Sequence, residues 1–306
     1  MSRRSLIILS AVNSLLVLFI FGLIFLNRPH QQTPQPQMTT PLKDLNQENV
    51  ETLQTAFANA TTTKERILLL QTMPPSSQLV DFYQALIRRA IDSPSSQEAI
   101  ELQNLAFDRW VKSVADPSEI LEQTNTIILE PAQSIAQKDF ALRASITRLD
   151  QLISLGHPAN PEQLRQLLDI ALQKNQANLQ GTALLAGAYL HSRHPELVGS
   201  KYLEDQIEVL IDTPNLPEYN QACALQVIAE LRLTDMLPYV RDQIRHPGSD
   251  AIKLKAIQAL GAIGTNEDLP LLNEQEASTP ELFWATIHAQ EQIKERLTPP
   301  HSIATH

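Results

Sequence analysis

Residues 224–240 recur in kind 32 positions later, and this displacement constrains the fold more than any other feature of the sequence. Ala224 aligns with Ala256, Gln226 with Gln258, Leu237 with Leu269 and Pro238 with Pro270. Leu225/Ile257, Ile228/Leu260, Leu231/Ile263, Asp235/Glu267 and Val240/Leu272 agree in chemical kind. A unit of this length buries its apolar face only against its neighbours, so self-similarity at this period predicts stacked helical hairpins. A compact bundle of four long helices does not fit it.

The rest of the body, Leu42 to Leu297, reads as helix after helix. Leu, Ala, Gln and Glu dominate, and no stretch alternates with period two for long. Proline-marked breaks fall at Pro74-Pro75, Ser93-Pro94, Asp116-Pro117, Glu130-Pro131, His157-Pro158, His194-Pro195, Thr213-Pro214, His246-Pro247 and Thr279-Pro280. Asp116-Pro117 and Thr279-Pro280 each place a capping side chain before a first-turn proline, the expected start of a helix. In the helix predicted from Asp250, Ile252, Ala256, Ala259 and Ile263 form one apolar stripe, with Ile257 and Leu260 beside it. Lys255 and Gln258 mark its wet side. The fold class expected is all-α: a transmembrane helix followed by an α-solenoid.

The stretch Ser249 to Leu272, SDAIKLKAIQALGAIGTNEDLPLL, resembles a HEAT-like repeat of the kind found in phycobilin lyases. The resemblance rests on the acidic helix start at Asp250, the pair Ile252-Lys253, the core Ala259-Leu260-Gly261, the turn Glu267-Asp268, and Leu269 to Leu272. Residues 222–245 are a weaker copy, with Glu230 and Leu233 in place of small residues; 141–168 and 183–210 are weaker still. A tetratricopeptide spacing in Ala183 to Leu203 is the runner-up. The resemblance implies a helical solenoid and fixes no function. It also implies that the second helix of each hairpin lines a binding surface. For the predicted helix Leu237 to His246 this makes Arg241, Asp242 and Arg245 the candidate partner-binding residues, although any charged helix face has the same look.

Ahead of this body, Leu6 to Leu26 is an uncharged run of 21 residues. At 1.5 Å per helical residue it spans roughly 30 Å, a bilayer's hydrocarbon core. The exit, Phe25-Leu26-Asn27-Arg28-Pro29, lacks a small-x-small cleavage site, which favours a retained signal anchor over a cleaved peptide. Arg3 and Arg4 before the run, against Arg28 after it, put residues 1–5 in the cytoplasm and the body in the periplasm or another extracytoplasmic space. Residues 27–41, rich in Pro and Gln, read as an extended linker of up to ~40 Å. Residues 42–298 form the repeat domain, and 299–306 read as a disordered tail.

The chemistry is sparse. Only 8 of 306 residues are glycine, against a typical ~7%. No glycine-rich phosphate loop, nucleophile elbow or metalloprotease helix motif occurs. One cysteine excludes an internal disulfide and Cys-rich zinc modules, and a net charge of −10 argues against nucleic acid. His191 and His194, three apart and followed by Glu196, are the best metal candidates, though a pair before Pro195 also suits capping and solvent. Cys223, among small residues, is expected to be a buried, inert thiol. Trp110 and Trp284 are both expected in the core.

No cofactor is implied. The function expected is a membrane-anchored scaffold or adaptor that binds protein partners and holds to the membrane through residues 6–26. The alternative is an enzyme on a helical superhelix, lyase-like or cell-wall-acting, with an unrecognised active site.

Overall fold

Small side chains and proline-set boundaries produce two layers of helices. The computed structural model describes residues 47–89, 96–173, 179–275 and 278–297. The expected cytoplasmic residues 1–5, the span 6–26, the linker 27–41 and the tail 299–306 lie outside the described residues. Among the described residues there is no strand, and no helix is long and apolar enough to cross a membrane.

The helices are α1 (Gln47–Asn59), α2 (Thr63–Thr72), α3 (Val80–Arg89), α4 (Gln97–Ser113), α5 (Pro117–Leu129), α6 (Ile135–Ser154) and α7 (Pro161–Leu172). They continue as α8 (Gln180–Arg193), α9 (Ser200–Ile211), α10 (Glu218–Leu231), α11 (Leu237–Arg245), α12 (Asp250–Ile263), α13 (Leu269–Asn273) and α14 (Pro280–Leu297). Starts follow capping chemistry. Asp116 accepts from the Ser118 amide ahead of Pro117, Asn160 from the Glu162 amide ahead of Pro161, and Ser134 forms a reciprocal box with Gln137. The prolines predicted as breaks all fall between helices or in a first turn, apart from Pro94, which lies outside the described residues. Helix α6 ends at Gly156, whose φ of 91° suits glycine and lets the His157 amide reach the Leu152 carbonyl.

Even-numbered helices pack in succession, α2 on α4, α4 on α6, and so on to α12 on α14. Odd-numbered helices form the second layer: α3 on α4, α5 on α6 and α7, α7 on α8, α9 on α8 and α10, α11 on α12, α13 on α14. The burial pattern follows from that placement. Helix α9 buries a single stripe, Leu203, Ile207 and Leu210, and α11 buries only Val240 and Ile244. Spine helices are covered on several sides. Helix α12 buries Ile252, Ala256, Ile257, Ala259, Leu260, Gly261 and Ile263. Each buried Leu or Ile side chain is worth about 1.5–3 kcal/mol, so most of the stability resides in the spine. Its small residues let axes approach closely. A Cβ on Gly261 would stand 2.9 Å from the Ala289 Cα of α14, and one on Gly181 would stand 2.9 Å from the Cys223 Sγ of α10.

The 32-residue displacement is also structural. Helix α10 (218–231), the 3-10 turn Thr234–Met236 and the start of α11 at Leu237 recur as α12 (250–263), the turn Asn266–Asp268 and α13 from Leu269. Ser249 donates to Glu218, and Ser278 donates to Asp250 at 3.2 Å, so successive units are tied in the same manner.

A second recurring contact has no counterpart in the sequence pattern. An arginine from the following helix reaches back to carbonyls at the end of the preceding one. Arg66 of α2 bonds Ala60 O at 3.2 Å, Arg109 of α4 bonds Gln71 O at 3.0 Å, and Arg148 of α6 bonds Val114 O at 3.1 Å. Arg296 of α14 bonds the Gly261, Ala262 and Gly264 carbonyls at the end of α12. Helix ends leave unpaired carbonyls and a partial negative charge, and a guanidinium answers both.

Candidate functional site

Helix α11 is oriented by Val240 and Ile244, which pack inward and turn the three candidate partner-binding residues away from the core. They do not behave alike. Arg241 forms a forked pair with Asp268, Nε to Oδ1 at 2.6 Å and Nη2 to Oδ2 at 3.1 Å. Asp268 is 2% exposed and also accepts from the Thr265 amide at 2.8 Å. Burial pushes the Asp268 carboxyl upward, but the bonds from Arg241 and Thr265 outweigh that and hold it below its ordinary value. Arg241 therefore joins α11 to the turn of the next unit. Asp242 and Arg245 stay exposed, with Asp242 accepting from His246 Nδ1 at 3.0 Å.

His191 and His194 serve separate partners at the end of α8. His191 Nδ1 lies 2.7 Å from the Val198 carbonyl, within the turn into α9. His194 Nε2 lies 2.9 Å from Asp150 Oδ1 on α6. The same carboxylate accepts from Arg193 Nε at 2.5 Å and the Tyr189 hydroxyl at 2.6 Å. Among the described residues, no group of three or more His, Cys, Asp or Glu side chains is placed to hold a metal ion. Burial raises the Asp150 carboxyl, yet its three donors prevail and keep it depressed. Asp150 escaped the sequence reading. The available signal was an acid at the position that continues the buried row Leu142, Ile146.

Cys223 is buried as expected, and burial pushes its thiol up to about 12, so it stays protonated at neutral pH. A polar row runs past it across four spine helices. Thr182 of α8 donates to Asp139 of α6 at 2.5 Å and lies 3.0 Å from the Tyr219 hydroxyl of α10. Lys255 of α12 reaches Gln226 of α10 at 3.3 Å, and Gln226 donates to Glu230 at 2.9 Å. Lys255 was read as solvent-facing. It is half-buried, and desolvation lowers its pKa. Gln258 alone is fully exposed on that side. Each member of the row bonds another protein group, so the row registers the spine helices against one another.

The two tryptophans diverge. Trp110 is fully buried against Phe107, as expected. Trp284 is 64% exposed and Phe283 49%, their rings edge-on at 5.4 Å, which corrects the expectation of core packing. The sequence is apolar there because Leu282 faces the core, while Phe283 falls on the flank of the helix and Trp284 on the side away from Leu282. A shallow cleft between α3, α4, α5 and α6 has amides from Gln103, Asn104, Gln133 and Gln137 over Ile87, Phe107 and Ile127.

No protein-family model matches the chain, and no curated protein does so significantly.

Proposed function

We propose that the chain is a membrane-anchored, extracytoplasmic scaffold: a HEAT-like α-solenoid that holds protein partners at a distance from the bilayer. The observation that carries this reading is the recurrence of the helix, 3-10 turn, helix unit at a fixed 32 positions within a succession of stacked helices. Such stacks present a long surface built by repetition, the kind of surface suited to protein partners. The 21-residue apolar run and the proline-rich linker supply the anchor and spacer.

Of the three candidate residues on α11, Asp242 and Arg245 remain the contact pair. Arg241 is committed to Asp268. The test is affinity purification of the full chain from a detergent extract, beside the Asp242→Lys/Arg245→Glu variant. Captured partner should drop about tenfold, since two reversed contacts at an interface edge cost on the order of 1.4 kcal/mol. Helix content should hold, because both side chains are exposed. Undiminished capture would remove α11 from the binding surface, and finding no captured protein in any extract would sink the scaffold.

Location has its own test. An alkaline phosphatase fused after His306 should be active, because that reporter folds only after export. An active cytoplasmic reporter at the same position, with the phosphatase silent, would invert the topology.

A further inference from the structure

We propose that the cleft between α3, α4, α5 and α6 binds an extended, uncharged peptide segment of a partner protein, through the carboxamides of Gln103, Asn104, Gln133 and Gln137. This names a partner class within the scaffold reading and rests on it, but it uses a surface separate from α11.

The first observation is that these amides are enclosed and yet unused. Gln103 is 7% exposed, and Gln133 and Gln137 are each 9% exposed. A carboxamide offers two donors and an acceptor oxygen, and groups this enclosed are normally paired within the fold. Among the described residues, no protein group pairs with the side-chain amides of Gln103, Asn104 or Gln133. Gln137 is half used. Its Oε1 accepts from the Ser134 amide at 2.8 Å in the capping box of α6, which fixes the carboxamide and leaves Nε2 as a free donor. All four side chains line the cleft over Phe107 and Ile127, and their unpaired atoms reach its surface. Such groups wait for a partner that enters from outside.

The second observation selects that partner. No Asp, Glu, Lys or Arg among the described residues lines the cleft, so a charge entering it would lose water and gain no counter-ion. Gln103 and Gln133 each present a donor beside an acceptor, the complement of the N–H and C=O of one extended residue. Gln137 Nε2 calls for one further carbonyl. The described residues contain no strand, hence no sheet edge to which an extended chain could add, and the carboxamides supply the missing main-chain contacts. The cleft is shallow, which suits a chain laid across it better than a small molecule enclosed by it. Phe107 is only 3% exposed, so it shows no ring face on which a sugar could stack.

The experiment uses the full chain in detergent and an array of capped dodecapeptides in three sets: uncharged, with one central Asp, and with one central Lys. The tightest uncharged peptide is then labelled and titrated by fluorescence anisotropy. Its affinity should fall at least tenfold against Gln103→Leu/Gln133→Leu, which removes both donor–acceptor pairs and keeps the bulk. It should fall as far when the two central peptide amides are N-methylated. That change leaves the protein untouched and decides the matter even if the double variant misfolds. A central Asp or Lys should abolish binding, whereas Asp242→Lys/Arg245→Glu should leave it unchanged. An array with no uncharged peptide bound would overturn the proposal. So would an affinity indifferent to N-methylation or to the folded glutamine variant, or binding of maltotetraose or chitotetraose in the peptide's place. Partner capture from extract beside a silent array would remove the cleft and keep the scaffold.

Discussion

Leu260→Asp is expected to unfold the carboxy-terminal units while Gln258→Asp, two residues away on the same helix, changes stability by less than about 0.5 kcal/mol. Leu260 has no exposure and sits in the spine helix that packs on α10, α11 and α14 at once. An aspartate there loses the transfer free energy of the leucine and buries a carboxylate that has no partner. Together these cost upwards of about 4 kcal/mol, a large share of a domain's net stability. Neighbour interfaces dominate a repeat stack, so damage should centre on residues 218–297 and fade toward α2. Hydrogen exchange of the full chain in detergent, read peptide by peptide, checks both the size and the place of the loss. Equal effects from the two substitutions would refute the assigned faces of α12.

Asp150→Ala should rank next, at about 3 kcal/mol. Removing one partner of a buried charge set leaves the others desolvated and unpaired. Here three donors are stranded: Arg193, His194 and Tyr189. The effect should depend on pH with a definite sign. Both Asp150 and Asp268 titrate in the folded state below their ordinary value near ~3.9. Such groups add stability above their unfolded pKa and lose it as pH falls through the folded one. The contribution of these two groups to the urea midpoint should therefore be flat from about pH 7 to pH 5 and fall below about pH 4. An Asp150→Asn/Asp268→Asn variant should begin lower and lose less over the same acid range. Parallel pH curves for the two chains would show that neither carboxylate carries the linkage.

These two carboxylates also mark where the sequence stops being legible. Proline positions, capping residues and the 32-residue displacement place helix ends locally, since each acts within a few residues of itself. Apolar stripes told which side of α12 faces neighbours, and Leu260 and Gln258 lie as that pattern requires. The misread residues are those whose surroundings come from elsewhere. Arg241 looks like solvated charge until Asp268, 27 residues on, is folded against it. Lys255 looks wet until α10 brings Gln226 to it. Trp284 looks like core because an apolar stretch does not say which of its residues meets a neighbouring helix. Helical periodicity encodes direction, whereas the polar partner waiting in that direction is a tertiary fact. The anchor, linker and tail lie outside the described residues and stand on composition alone.

The backward-reaching arginines give the stack a polarity in time as well as space. Arg109, Arg148 and Arg296 each close a helix that precedes them in the chain. On a ribosome, therefore, α2, α4 and α12 emerge with open carboxyl ends and are finished only when α4, α6 and α14 arrive. Evolution by duplication inherits the same asymmetry. Excising α4, α6 or α14 would leave the helix that its arginine closes open, whereas α6, α8 and α10 depend on no such contact from their successors among the described residues.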